Sequence, residues 1–283
     1  MVCDFKMAIT VKTKTEIAIL REGGRKLGVI RDALAALAKP GISAADLEKE
    51  AEELFSASGG EPSFFMYRDK SSDTPFPART CISVNDAIVH GVPHEHIVFR
   101  EGDLVGIDVG LKYRGLFTDT AVTVLITNPK EQHAAYGAGN QSSITKYKKA
   151  GKLLEVTQKA LAVGIREVRE GATTGDVGAA IEEYVRSAGE YGIVRTLCGH
   201  GVGYAVHEEP KIPNFGKRGG GVVLKAGMVI AIEPMLTLGG EKLVLDTDGF
   251  TFRTADQSLT AHFEHTLVVT ARGAEVLTAA SNM

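Results

Sequence analysis

Two stretches of this chain read alike 130 residues apart, and this repeat restricts the fold to one with two related halves. The first reads GISAADL from Gly41, and the second reads GATTGDV from Gly171. Each places Ser or Thr at a helix N-cap position and an aspartate three residues later, a spacing typical of a capping box. The sequence therefore predicts a similar helix at the same point of each half.

Five polar residues stand inside strings that are otherwise apolar or rich in glycine. They are Asp108 in LVGIDVG, Asp119 in LFTDTAVTVLI, His200 in CGHGVG, Glu233 in VIAIEPM and Glu264 in HFEHTLVVT. The repeat continues downstream and aligns Asp108 with Glu233 and Asp119 with Glu264. A carboxylate in a buried strand costs free energy unless it is paired or binds a metal. Four carboxylates and one histidine can neutralise two divalent cations, which predicts a two-metal hydrolase site.

The spacing of the first two acids favours their meeting at one point. The ten residues between Asp108 and Asp119 read VGLKYRGLFT and are typical of a β-hairpin. Oxygen ligands with a single imidazole suit Mn(II), Fe(II), Co(II) or Zn(II). Each of the five residues alone reads equally well as a solvent-exposed acid, a strand terminus or a turn histidine. Their shared register in the repeat favours the joint interpretation as a metal site.

The periodicity predicts an α+β fold with helices packed on one side of a curved, mainly antiparallel sheet. Turn-forming residues fill 59–79 and 128–142, which are predicted loops. We expect one catalytic domain over 1–283, with pseudo-twofold halves at about 12–127 and 143–278. The predicted helices cover 14–38, 43–58, 143–169 and 174–188, and the predicted strands cover 80–84, 103–109, 118–126, 193–196, 228–233 and 263–270.

Charge and composition argue against several classes of partner. The net charge of −3 gives no basic surface for nucleic acid or anionic lipid. No run of residues is apolar enough to cross a membrane, and the first residues do not resemble a secretory signal. Three cysteines without a CxxC pair predict neither a disulfide framework nor a thiolate zinc site. We therefore expect a protein of the reducing cytoplasm.

Three further residues have a chemical interpretation. His207 and His90 are candidates for binding a substrate carbonyl or stabilising an oxyanion, although either also reads as a surface or structural histidine. Cys81 precedes an alternating strand and is interpreted as a pocket residue, because no base lies near it in the sequence. No role is assigned to four further histidines, which are His94, His96, His133 and His262.

The motifs together resemble the type I methionine aminopeptidases of peptidase family M24, which have the pita-bread fold. The resemblance spans about residues 12–278 and rests on the strings CISVND, IVHGVP, GIDVG, FTDTA, CGHGVG, VHEEP, IEPM and FEHTLVVT. It implies removal of the N-terminal methionine from new polypeptides by a water activated between two divalent ions. The partners it implies are peptide N-termini, and association with the ribosome stays open. The net charge indicates no specificity for nucleic acid, and nothing in the sequence demands more than a monomer.

The resemblance also implies roles for individual residues. Asp108 would bind one ion, Asp119 and Glu264 would bridge both, and His200 and Glu233 would complete the second. Glu233 would also accept the proton of the water. The remaining roles fall to His90 and His207 at the scissile amide and to Cys81, Phe76 and Phe250 in the methionine pocket.

Three features depart from this family pattern. Only Phe76 and Pro77 match the aromatic-His-Gly-aromatic-Pro run before the cysteine, Phe250 replaces a common Trp, and the 128–142 loop is longer than is typical. The alternatives are an X-Pro dipeptidase or aminopeptidase P-like hydrolase, a non-catalytic binding protein of the same fold, and a structural network of acids without metal.

Overall fold

A computed structural model describes residues 8–68, 74–127 and 141–280. Within these ranges four helices match the predicted segments closely, and α3 begins two residues before its predicted start at 143. The helices are α1 (Lys14–Leu37), α2 (Ala44–Ser58), α3 (Gln141–Glu167) and α4 (Thr174–Ala188). The strands are β1 (Glu61–Pro62), β2 (Thr80–Val84), β3 (Ala87–Val89), β4 (Leu104–Tyr113), β5 (Leu116–Leu125), β6 (Gly192–Ile193), β7 (Gly199–Gly201), β8 (Glu208–Ile212), β9 (Val229–Ile232), β10 (Met235–Thr237), β11 (Leu243–Leu245), β12 (Phe252–Thr254), β13 (Thr260–His262), β14 (Glu264–Val269) and β15 (Ala274–Val276).

The strands form one large antiparallel sheet and two small ones. The large sheet follows the order β1-β4-β5-β14-β9-β7-β8, with β2 also paired to β4 and β15 also paired to β14. The small sheets have the orders β13-β10-β6 and β11-β12-β3. The contact between β5 and β14 joins the first half of the chain to the second inside one sheet.

The two halves begin their second helix in the same way, as the repeat predicts. Ser43 and Thr173 are N-caps that form full capping boxes with Asp46 and Asp176. Each cap residue also forms an isolated antiparallel β-bridge. Ser43 pairs with Val98, and Thr173 pairs with Val223. The structure thus confirms the predicted α+β fold with a repeated unit, whereas a single catalytic domain over 1–283 stays a prediction.

The helices cover one face of the large sheet. On β4, the buried residues Val105, Ile107 and Val109 pack in one apolar cluster with residues of α1 and α2. In the second half, Ile230 and Ile232 of β9 pack in a cluster with α3 and α4. Because successive side chains of a strand point to opposite faces, the residues that alternate with these valines and isoleucines face away from the helices.

The hairpin between β4 and β5 is longer than predicted. Its strands run to Tyr113 and from Leu116, and they are joined at Arg114 and Gly115, whose φ angles of 49° and 82° suit a two-residue hairpin turn. Residues 69–73 of the predicted loop 59–79, and 128–140 of the predicted loop 128–142, lie outside the described ranges. Among the described residues, no helix is both long and apolar enough to cross a membrane.

Candidate metal centre

Three acids share one row of the sheet because of its register. Asp108 on β4 and Glu264 on β14 both pair with Ala121, from its two sides. Asp119 lies two residues before Ala121 on the same strand. Alternation along β5 therefore directs Asp119 to the same face as Asp108 and Glu264, opposite the helices. The small side chain of Ala121 leaves space between the three carboxylates.

The second half of the chain supplies the other two residues. His200 on β7 and Thr266 on β14 both pair with Ala231. Since Thr266 lies two residues after Glu264, His200 shares the face of that acid. Glu233 directly follows Ile232, the last residue of β9, which pairs with His265 of β14. The register thus brings all five predicted ligands to one side of the sheet.

Three of the five predicted ligands, Asp119, His200 and Glu264, form a group that could hold a metal ion, and Asp108 and Glu233 lie outside this group. One ligand atom each from Asp119, His200 and Glu264 lies within 4.8 Å of the other two. His200 Nε2 is 3.6 Å from Glu233 Oε1 and 4.0 Å from Glu264 Oε1. His200 Nδ1 lies 2.9 Å from the backbone oxygen of Gly201. A neutral ring that donates there directs the lone pair of Nε2 toward the acids, as a metal-binding histidine does.

The acids lack the hydrogen bonds that buried oxygens need. Asp108 Oδ1, Asp119 Oδ1 and Glu264 Oε1 are buried and have no hydrogen-bond partner among the described residues. Burial, with added repulsion from neighbouring acids, raises the pKa of Asp119 and Glu264 well above the usual range. Burial raises the pKa of Asp108 to about 7 and that of Glu233 to about 8. Divalent cations would satisfy these oxygens, so the donor set fits the predicted metal.

The two histidines predicted to contact substrate lie beside this cluster. The ring of His207 packs edge-on against His200, with 4.5 Å between ring centroids. Burial, followed by the nearby His200 and His90, lowers the pKa of His207 well below its usual range, so the ring is neutral. His90 follows β3 with a positive φ of 58°. Its backbone oxygen accepts a hydrogen bond from Thr251 Oγ1 at 3.3 Å.

An apolar cluster of side chains, which includes the predicted pocket residues, adjoins the acids. Cys81 of β2 pairs directly with Asp108 of β4, so both side chains occupy the same face. Phe76 and Phe250 meet edge-to-face at 5.4 Å between ring centroids, and both belong to a cluster with Cys81 and Val206. Burial raises the pKa of Cys81 well above its usual range, which keeps the thiol protonated and apolar. The structure thus brings the three predicted pocket residues together.

Two residues that the sequence interpretation did not select also reach the centre. His262 is buried on β13, and its Nε2 lies 3.5 Å from Glu233 Oε2. Tyr67 places its hydroxyl 3.0 Å from His207 Nδ1. The spacing of two residues between His262 and Glu264 was an available signal for the first, whereas no local pattern marks the second. His94 is exposed, and His133 lies outside the described residues.

Comparison with known proteins places the chain among metallopeptidases. The family model described as "Metallopeptidase family M24" matches residues 18–271. A methionine aminopeptidase of Aquifex aeolicus is 41% identical over 276 residues, which cover 96% of this chain and 99% of that protein. The crystal structure of a methionine aminopeptidase from Thermotoga maritima matches with a TM-score of 0.85 and 37% identity, over 96% of this chain and 100% of that chain. A prolidase from Pyrococcus furiosus matches with a TM-score of 0.68 at 24% identity, over 96% of this chain and 66% of that chain, which shows a shared fold alone.

Proposed function

This chain belongs to metallopeptidase family M24, and on that basis we propose that it removes the N-terminal methionine from newly made polypeptides. It is a metal-dependent exopeptidase that acts on the N-termini of peptides. The observation that carries the proposal is the convergence of Asp119, His200 and Glu264, whose ligand atoms lie within 4.8 Å of one another beside an apolar cluster of side chains.

The proposed ligands are Asp108, Asp119, His200, Glu233 and Glu264. Divalent cations held there would act as Lewis acids that lower the pKa of a water molecule and polarise the substrate carbonyl. We propose two ions per chain, because four carboxylates and one imidazole match the charge of two divalent cations better than that of one. Their identity among Fe(II), Mn(II), Co(II) and Zn(II) is a separate question for metal analysis.

Glu233 is the proposed proton carrier of the reaction. Its side chain is largely buried, and its Oε1 lies 3.6 Å from His200 Nε2. It would take a proton from the attacking water and pass it to the amine that leaves. His262 lies on the other side of this carboxylate and would help to hold it in place.

His207 and His90 are the proposed contacts to the scissile amide. The lowered pKa of His207 keeps its ring neutral, and a neutral imidazole N–H can donate a hydrogen bond to the oxyanion that develops on the carbonyl. After burial and His200, His90 also contributes to the lowered pKa of His207, so the two histidines lie close to each other. Neither histidine is a proposed metal ligand, so removing either should lower the rate without removing metal.

The apolar pocket would select the side chain that enters the centre. Cys81, Phe76 and Phe250 offer sulfur and aromatic surface, which suits the flexible and polarisable thioether of methionine. We propose the chain as a monomeric cytoplasmic enzyme over residues 1–283, with association with the ribosome as a further proposal.

Release of free methionine from a Met-Ala-Ser peptide tests the function. Protein stripped of metal should release none, and added Mn(II), Co(II) or Fe(II) should restore release. Asp108→Asn should abolish release in every metal, because the charge of one ligand is lost. Two bound ions per chain, measured by elemental analysis, would support the proposed stoichiometry.

The same assay separates the rival functions. An Ala-Pro peptide replaces Met-Ala-Ser in a parallel reaction, since the fold is shared with a prolidase. Cleavage of Ala-Pro without methionine release would identify an X-Pro hydrolase. Metal binding without cleavage of either peptide would favour a binding protein of the same fold, and no metal binding would overturn the proposal.

A further inference from the structure

The chain before the pocket folds back on itself and carries a tyrosine to the centre. Residues 64–67 form a turn in which the N–H of Tyr67 donates to the oxygen of Phe64 at 2.9 Å. The N–H of Met66 donates to the oxygen of Phe76 at 2.9 Å, and the N–H of Phe76 donates to the oxygen of Tyr67 at 2.8 Å. These two reciprocal bonds fix the turn to the pocket residue Phe76.

The side chain of Tyr67 is held by packing as well. Its ring packs against the apolar pocket cluster that includes Phe64, Phe76 and Val206, and Val206 immediately precedes His207 in the chain. The rings of Tyr67 and His207 meet edge-on, with 5.6 Å between centroids. Backbone hydrogen bonds and ring packing therefore both hold Tyr67 in place, independently of the contact that its hydroxyl makes.

The hydroxyl of Tyr67 lies 3.0 Å from His207 Nδ1. A neutral imidazole has one N–H, and the nitrogen that accepts a hydrogen bond is the one without a proton. A phenol is a good donor, so the pairing favours an unprotonated Nδ1 and places the ring proton on Nε2. The proton is then available on the nitrogen that does not face Tyr67.

We propose that Tyr67 is a positioning residue that fixes the tautomer and orientation of His207, so that Nε2–H donates to the carbonyl oxygen under attack. This inference rests on the proposed function, because it deepens the role given there to His207. It also assigns a purpose to residues 64–67, which belong to the predicted loop 59–79. The segment would supply a contact to the centre from a part of the chain 140 residues away in sequence from His207.

Tyr67→Phe tests the proposal, because phenylalanine keeps the ring in the pocket cluster and removes only the hydroxyl. We expect kcat for methionine release to fall about tenfold, the effect of losing one hydrogen bond at the transition state, with KM changed less than about twofold. The content of bound metal should stay at the wild-type value. Tyr204→Phe is the matched control, because it also removes a tyrosine hydroxyl from the loop before His207. The hydroxyl of Tyr204 donates a hydrogen bond to Glu16 Oε1 at 2.7 Å. The kcat of this variant should stay near the wild-type value.

A second measurement reads the tautomer without relying on activity. Nitrogen-15 NMR of histidine-labelled protein loaded with Zn(II), which is diamagnetic, should show His207 protonated on Nε2, with the signal assigned by its loss in His207→Gln. In Tyr67→Phe the Nδ1–H form should appear. A wild-type His207 protonated on Nδ1, or a Tyr67→Phe variant with wild-type kcat, would overturn the proposal. Absence of methionine release by the wild type would instead contradict the proposed function and leave the NMR result to decide the tautomer.

Discussion

At the residue scale, His262 is a buried neighbour of Glu233, the proposed proton carrier. Its Nε2 lies 3.5 Å from Glu233 Oε2, and this buried nitrogen makes no hydrogen bond among the described residues. The ring is buried, and burial lowers the pKa of His262, so that it is neutral at physiological pH. A neutral ring that donates from Nε2 would hold the Glu233 carboxylate in one orientation and would add no positive charge beside the metal site.

Replacing His262 with alanine should lower kcat/KM for methionine release by about 10- to 100-fold, the usual effect of removing a residue that orients a metal-site carboxylate. His262→Gln should keep more activity, because its amide N–H can serve the same oxygen. His94→Ala is the matched control, since His94 is exposed. Steady-state kinetics measures all three variants, and equal values for His262→Ala and His94→Ala would contradict the expectation.

The residues differ in how readily the sequence reveals them. Asp108 and Asp119 are conspicuous because a charge inside an apolar strand has a free-energy cost that only pairing or metal binding offsets. His262 carries no charge that needs compensation, so its surroundings in the sequence look ordinary. Tyr67 is invisible to local patterns, because its contact with His207 exists only after distant parts of the chain have packed.

At the scale of elements, a buried ion pair ties the segment before α1 to β8. Lys12 and Glu208 are both almost fully buried, with Lys12 Nζ 2.6 Å from Glu208 Oε2. The other carboxylate oxygen of Glu208 accepts hydrogen bonds from the backbone N–H groups of Tyr204 and Ala205. The pair therefore holds the loop that leads to His207, although it lies outside the metal centre.

Lys12→Met should lower the free energy of unfolding by about 3–5 kcal/mol, because it leaves the Glu208 carboxylate buried without its cation. The double variant Lys12→Met with Glu208→Gln should recover a large part of that loss, since no unpaired charge stays behind. Urea denaturation followed by circular dichroism measures both variants. If the double variant were less stable than Lys12→Met alone, the ion pair would not be the source of the loss.

Long elements were predicted well, and short ones were not. The four helices have strong caps or long apolar periodicity, and β4, β5, β9 and β14 carry apolar strings, so local sequence defines them. Strands of two or three residues such as β3, β6, β7 and β13 were missed or misplaced, because their conformation depends on the strand that each one meets. The strand predicted over 193–196 is reduced to Gly192–Ile193 because its pairing with β10 ends there.

At the scale of the whole molecule, the acid cluster links metal binding to stability. In the protein without metal, burial raises the pKa of Asp108 to about 7 and of Glu233 to about 8. A carboxyl with a higher pKa in the folded protein than in the unfolded chain makes its full contribution to stability below its unfolded pKa of about 4, and this contribution is lost progressively as the pH rises from there through 7 and 8. Burial lowers the pKa of histidines such as His200. Above about pH 6.5 these histidines are neutral in both the folded and the unfolded chain, so they no longer change the pH dependence of stability.

The melting temperature of the metal-free protein should therefore fall between about pH 7 and about pH 8.5. Mn(II) should raise it more at the higher pH, because bound cations compensate acids that have lost their protons. Differential scanning fluorimetry of chelator-treated protein, with and without Mn(II), measures both effects. Asp108→Asn should show a smaller decrease with pH, and an equal Mn(II) effect at both pH values would contradict the linkage.

The proposed ligands divide between the halves of the chain, with Asp108 and Asp119 in the first and His200, Glu233 and Glu264 in the second. The hydrogen bonds that join β5 to β14 connect residues 144 and 147 positions apart. A ribosome therefore completes the first two acids long before the last one. Because Glu264 of β14 is a proposed ligand, we expect a chain that still lacks β14 to be unable to process its own N-terminus or that of another chain.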